Sequence, residues 1–198
     1  MTPRDSAQTK ERILGAAFET FAESGFAGAR VDEIATRAGC NKALLYQYFG
    51  DKEALFRCVL EDRMQAMVDE THRDPERFAD LAGEFFDFHA ANPWLSRLLQ
   101  WEALDFGRAP VPNERNRAER VRQHVDRLAD AQRAGTVDPG LDPRQTIATM
   151  MGVVQFWFAF PQLARMVAGG DPYTKKALAA RREHVVDIAR RILEPRKG

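Results

Sequence analysis

The 198-residue sequence predicts an all-α protein, with a small N-terminal head and a larger helical domain behind it. Three observations predict this class. Apolar residues recur at i, i+3, i+4 and i+7, as in Phe78, Leu81, Ala82 and Phe85, which is the period of one helix face. Residues 31–56, VDEIATRAGCNKALLYQYFGDKEALF, contain two short helical runs around a tight corner, with a third starting at once. Capping side chains precede prolines in Asp74-Pro75-Glu76 and Asn92-Pro93-Trp94, a common way for helices to begin.

Met1 to Gln8 has little apolar content and is expected to be a flexible arm, where Arg4 is either a phosphate contact or a solvated charge. Lys10, at the start of the first helix, has the same two readings. That helix, about Thr9 to Ser24, should bury Ile13, Ala17, Phe18 and Phe21 before Gly25 ends it. Ile34, Ala35 and Ala38 mark a second helix stopped by Gly39. Asn41 can cap a third helix, Lys42 to Phe49, which Gly50 stops. Asp51 can cap a fourth, from Lys52 to about Asp69, carrying Leu55, Phe56, Val59, Leu60 and Met67. The segment 30–49 therefore reads as a helix-turn-helix, whose second helix lies in the major groove of DNA.

A helical wheel places Leu45 and Phe49 on the inner side, with Ala43, Leu44 and Gln47 opposite. Tyr46 and Tyr48 flank them, and Lys42 sits at the exposed N-terminal end. Gln47 suits an adenine edge and Ala43 and Leu44 suit thymine methyls, with cations and hydroxyls left for phosphate. The competing interpretation is a buried Leu-Tyr-Phe helix in an ordinary bundle, which would need neither the polar edge nor the two stops.

From about residue 9 to 60 the chain resembles the TetR-type (tetracycline-repressor-like) regulators. The residues that carry the resemblance are Ile13, Ala16, Ala17, Phe18 and Phe21, then Gly25-Phe26, VDEIATRAG and NKALLYQYFGDKEALF. The resemblance implies that the third helix enters the groove, and that a lysine like Lys52 clamps a phosphate from the start of the fourth. It also implies a ligand cavity among the later helices and a four-helix dimer interface made by the last two. This sequence departs from the family pattern in having Arg30 where a small hydroxyl residue usually caps the second helix, and Asn41 where a serine is frequent. Arg30 still has the reach to contact phosphate.

Composition alone does not suggest nucleic acid, because 29 basic residues balance 29 acidic ones. Residues 1–60 balance as well, so any affinity for phosphate rests on where the cations are placed. Cys40 and Cys58 lack paired metal-ligand spacing, and no secretory signal is apparent, which fits a reducing, cytoplasmic setting. Cys40 in the turn is read as a packing residue in preference to a redox sensor. No apolar run reaches the ~18 residues of a membrane span, so no membrane partner is expected. The four histidines are scattered and no nucleophile motif is present. A Glu102/Asp105 pair with His89 is a weak metal candidate, so neither metal, cofactor nor enzymatic activity is expected.

The domains are thus expected at 1–8 (arm), 9–69 (DNA-binding head and linking helix) and 70–198 (regulation and dimerisation). Residues 113–134 read as a solvated outer helix, with Val121, Val125 and Leu128 as its narrow apolar stripe and acidic residues among its arginines. After a turn-rich break, residues 150–160 are apolar nearly all round and must be covered all round, until Pro161 kinks or ends the helix. Val153 and Phe160, with Val185, Ile188, Ala189 and Ile192 of a last helix from about Pro172 to Leu193, are the expected dimer contacts. Phe85, Phe86, His89, Trp94, Leu98, Trp101, Glu102, Met150, Val154, Trp157 and Phe158 are the candidates for an apolar, aromatic ligand site.

The function expected is that of a homodimeric regulator. It would bind a palindromic double-stranded operator through Arg30, Lys42, Ala43, Leu44, Tyr46, Gln47, Tyr48 and Lys52, and a small effector would release it. The alternatives are a ligand-independent DNA-binding dimer or activator, and an enzyme or carrier with a vestigial head.

Overall fold

A computed structural model describes residues 3–70, 78–111 and 114–195, without the side chains of 3–5 and 65–70. The expected Asp74-Pro75-Glu76 cap and the side chains of Arg4 and Met67 lie outside the described residues. Ten helices, and no strand, form the described residues. They gather into two compact units, Met1–Ala66 with Arg97–Glu114, and Met67–Ser96 with Arg115–Gly198.

The first unit holds α1 (Pro3–Gly28), α2 (Val31–Arg37), α3 (Lys42–Phe49), α4 (Lys52–Glu70) as far as Ala66, and α6 (Pro93–Phe106) from Arg97 onward. Residues 3–8 are the start of α1, not the expected arm. Proline is pre-set for a helix's first turn, Thr9 is buried, and the Ser6 hydroxyl takes the Tyr48 hydroxyl at 3.0 Å. At Gly25 the backbone leaves the helix, with φ 71° and ψ 179°. A Cβ there would stand 2.8 Å from the Trp101 ring, so only glycine fits both the turn and the space.

The boundary in space is not the one expected in sequence. Leu98 is fully buried with Ile13, Phe21, Ile34, Leu45 and Phe56 in the core of the head. Arg97 donates to the Glu23 carbonyl at 3.1 Å, and Asp105 accepts the Ala27 amide at 3.1 Å. Phe106 lies 5.4 Å from Phe26 and 6.4 Å from Phe56, ring centre to ring centre. The C-terminal half of α6 is thus part of the head, because its inner face is as apolar as that of α1.

The second unit is built on α5 (Phe78–Ala91), which packs against α10 (Lys175–Leu193) and α8 (Pro143–Ala159). Gly83 lets α5 and α10 approach, since a Cβ there would lie 2.7 Å from Val186 Cγ2. One core joins Phe86, Val154, Trp157, Phe158, Val185 and Ala189, and another joins Phe78, Leu81, Leu128, Ala131, Val137 and Leu193. Asp142 caps α8 on the Gln145 amide at 2.9 Å, directly before Pro143. Pro161 opens α9 (Pro161–Ala168), bent 88° from α8.

Three local expectations are corrected. The last helix starts at Lys175, not near Pro172, because Thr174 caps the Ala177 amide and the Pro172 carbonyl accepts from Trp157 Nε1 at 3.3 Å. Asn92 does not cap α6 with its side chain; it donates back to the Phe88 carbonyl at 2.9 Å and closes α5 instead. In α7 (Glu114–Arg133), Val121 is 40 % exposed, and the inward side runs through Leu128 and Ala131 without it.

Candidate nucleic-acid interface

The corner before α3 follows from short-range bonds. Gly39 takes φ 62°, and the Leu44 amide donates to Asn41 Oδ1 at 2.7 Å. The Ala54 amide likewise donates to Asp51 Oδ1 at 2.7 Å, starting α4 immediately after α3 ends at Gly50. Each cap satisfies an amide that the helix itself cannot, which fixes where it begins. Leu45 and Phe49 are buried in the head core, as the wheel requires. Lys42, Ala43, Tyr46 and Gln47 are exposed, while Leu44 and Tyr48 are half-buried. A short helix thus shows one amide, one methyl, one phenol and one ammonium on a single outer surface.

The expected phosphate contacts differ in state. Arg30 is exposed and extended and makes no side-chain cap to α2. Lys42 Nζ lies 3.0 and 3.2 Å from the two carboxylate oxygens of Asp32, and that bond raises its ammonium above the usual lysine range. Lys52 Nζ sits 4.7 Å over the Phe26 ring and 3.4 Å from the Ala27 carbonyl. Partial burial lowers its pKa against the pull of Asp105. The Tyr48 hydroxyl is held by Ser6.

Arg37, which no motif in the sequence marks, ties the head together. It meets Glu23 at 2.6 Å, Glu33 at 2.8 Å and Glu19 at 3.9 Å, joining α1 to α2. Only the Glu33 pair, four residues back on one helix, was visible as a spacing. Cys40 is partly buried and its thiol is pushed up by burial, which favours packing over thiolate chemistry.

Of the expected ligand residues, Phe86, Val154, Trp157 and Phe158 share one core, with Phe85 and Met150 packed against it. His89 stacks on Phe158 at 5.7 Å, its Nδ1 3.0 Å from the Ser96 hydroxyl, and burial brings its pKa down to about 4. Trp94 is half-buried in the same unit. Leu98, Trp101 and Glu102 belong to the other unit, so the candidates do not form one cluster. A cavity of about 210 Å³ opens between Phe78, Val137, Leu193 and Arg190, away from those candidates.

Two expected dimer contacts are corrected as well. Val185 and Ala189 are buried in their own subunit's core beneath α5, and so face no partner. Val153, Ile188 and Ile192 are half-buried. Large apolar side chains stand exposed on α8 and α9 instead, namely Met151, Leu163, Met166 and Val167, with Phe160 between the helices. Among the described residues no single helix is long and apolar enough to cross a membrane. Nor do they contain a group of three His, Cys, Asp or Glu side chains placed to hold a metal ion.

Comparison with known proteins agrees with this architecture. Residues 13–59 match the model of the bacterial regulatory proteins of the tetR family, and residues 78–191 match the tetracyclin repressor-like C-terminal domain. The chain is 34% identical over 194 residues to the HTH-type transcriptional repressor SCO4008 of Streptomyces coelicolor, covering 98% of this chain and 100% of that protein. The transcriptional regulator SCO4942 of the same organism superposes with a TM-score of 0.81 at 34% identity, covering 93% of this chain and 98% of that one. The FadR regulator of Bacillus subtilis, in complex with stearoyl-CoA, shares the fold with a TM-score of 0.66 at 20% identity, over 93% of this chain and 99% of that one. Members of this family are transcriptional regulators and not enzymes; they bind DNA, act as dimers and bind small effectors. A capped, outward-facing α3 whose inner side is locked into the head core, ahead of the matching C-terminal domain, makes this chain a DNA-binding transcriptional regulator of the TetR family.

Proposed function

We propose that the protein is a cytoplasmic repressor that binds a palindromic operator as a homodimer and leaves it when a small apolar or aromatic molecule binds the second unit. The observation that carries this reading is the outer surface of α3. Lys42, Ala43, Tyr46 and Gln47 are exposed together on a helix whose opposite side is locked into the core. Gln47 reads an adenine edge, and Ala43 and the outer part of Leu44 meet thymine methyls. Arg30, Lys42, Tyr46, Tyr48 and Lys52 hold the backbone.

Two heads must stand about 34–36 Å apart, or a multiple of that, to reach successive major grooves on one face. The exposed Met151 and Phe160, with the half-buried Val153, Ile188 and Ile192, are the surface offered to the second copy. The effector site is drawn from Phe85, Phe86, His89, Trp94, Met150, Val154, Trp157 and Phe158. Helices α4 and α6 each belong to both units, so they are the elements through which a bound effector changes the spacing of the heads. Swinging occupancy from 99:1 to 1:99 takes about 10⁴-fold tighter binding to the released form.

The test is selection of bound duplexes from random DNA, followed by anisotropy titrations over a range of salt. Lys52→Ala should weaken binding to every duplex and flatten the salt dependence by about one unit of slope. Gln47→Ala should relax preference at one base pair only. Equal losses on selected and random DNA for both variants would overturn the assignment of roles.

A further inference from the structure

Helix α7 turns a basic side toward the interior of its unit. Its C-terminal half buries Leu128 and Ala131 against Phe78 and Leu81 of α5. One turn earlier, His124 meets the Phe85 ring edge-on at 5.6 Å. These contacts set an antiparallel register, and the next turn back brings Arg120 level with Phe88 and His89 on α5. Arg117, Arg120 and His124 are all half-buried there, whereas Val121 faces out.

Arg120 Nη1 is buried and has no hydrogen-bond partner. No salt bridge among the described residues engages its side chain. The side chain as a whole is half-buried, but its Nη1 is shut off from solvent, and a buried N–H without an acceptor is destabilising. Arg181, whose Nε is also buried without a partner, has an explanation in this chain: its Nη2 donates to the Val153 carbonyl at 3.1 Å and its guanidinium lies 5.0 Å from the Trp157 ring centre. Arg120 has no such contact. His89 is engaged by Ser96 through its Nδ1, and burial favours its neutral form.

We propose that Arg120 anchors the head group of the effector, and that the effector class is an apolar or aromatic body ending in an oxyanion, either carboxylate or phosphate. The apolar body lies along Phe85, Phe86 and Phe158, and the oxyanion takes the unpaired guanidinium nitrogen. This rests on the reading above that the second unit holds an effector, and it adds the charge that the effector must carry.

The test uses the full chain and matched probes: dodecanoate, dodecyl phosphate and dodecanol, with 4-phenylbutyrate and 4-phenylbutanol as the aromatic pair. Affinities are measured by calorimetry for the wild type, Arg120→Gln and Arg120→Lys. At least one oxyanion should bind the wild type about 10-fold more tightly than its alcohol, the usual scale of a charge-assisted bond. Arg120→Gln should abolish that preference and leave the alcohol's affinity unchanged, while Arg120→Lys keeps part of it. The two dodecyl oxyanions separate carboxylate from phosphate. Equal binding of oxyanions and alcohols by the wild type, no binding of any oxyanion, or an undiminished preference in Arg120→Gln would each overturn the proposal. If Arg120→Gln does not fold, as judged by its thermal transition, an undiminished preference in Arg120→Lys overturns it instead. Operator affinity without probe is measured in parallel, so a failure of the repressor reading shows separately as absent DNA binding.

Discussion

The head and the second unit use the same kind of element but hold it differently. In the head, the two corners that flank α3 are fixed within four residues, by Asn41 on the Leu44 amide, Asp51 on the Ala54 amide and the positive φ of Gly39. In the second unit, the defining contact joins residues about a hundred positions apart, where Val186 of α10 presses on Gly83 of α5. A reading surface has to present a few side chains in one fixed geometry, and short-range bonds give that rigidity. A regulatory unit must have a second arrangement available, and long-range packing of smooth apolar faces leaves room for one.

The largest expected effect falls on the head. Gly25→Ala meets both the left-handed backbone and the Trp101 ring, and should destabilise the protein by about 3 kcal/mol or more. A thermal melt measures this, and an unchanged melt would show that the corner is softer than the second unit. Next comes the buried histidine. Because the His89 pKa in the fold is about 4, below its ordinary value near 6.5, the stability it contributes is fully present above about pH 6.5. It is lost as pH falls toward 4, by up to about 3 kcal/mol. Urea titrations at a series of pH values should show that slope, and His89→Gln should flatten it while leaving the head's DNA affinity at neutral pH intact.

Gly83→Ala should cost about 2 kcal/mol by forcing α5 away from α10, since Val186 has to move. The comparison predicts that this variant lowers the melting temperature but keeps sequence preference on DNA. The smallest effect is expected from Asn41→Ala. Losing one exposed cap costs about 1 kcal/mol, yet it should weaken operator binding more than Gly83→Ala does, because it loosens α3 itself. Anisotropy on the same duplex decides the order.

The same distinction explains what could be seen in the sequence. The stops and caps around α3 were legible because each is a pair of residues three or four apart, and the buried side of that helix followed from Leu45 and Phe49. The place of Leu98 and Trp101 in the head was not legible. They lie on a continuous apolar face of α6 that changes neighbours partway along, and nothing in its period marks the change. The stripe through Val185 and Ala189 suits a partner as well as it suits α5, because an amphipathic stripe does not say which surface covers it. In α7 two stripes share Leu128, one through Val121 and Val125 and the other through Arg120 and His124. Hydrophobicity favours the first, but in the fold Val121 is exposed and His124 meets Phe85. The helix at residues 3–8 leaves no mark in the sequence, because its anchor, the Tyr48 hydroxyl on Ser6, spans a gap that no local pattern crosses.

The split of α6 between the two units bears on how this protein can be taken apart. A gene cut after Ala66 would encode every side chain proposed above to read bases and still lack Leu98, Asp105 and Phe106, which close the far side of the same core. Anyone grafting this reader onto another sensor must therefore carry α6 along with it, or rebuild its buried surface in the recipient.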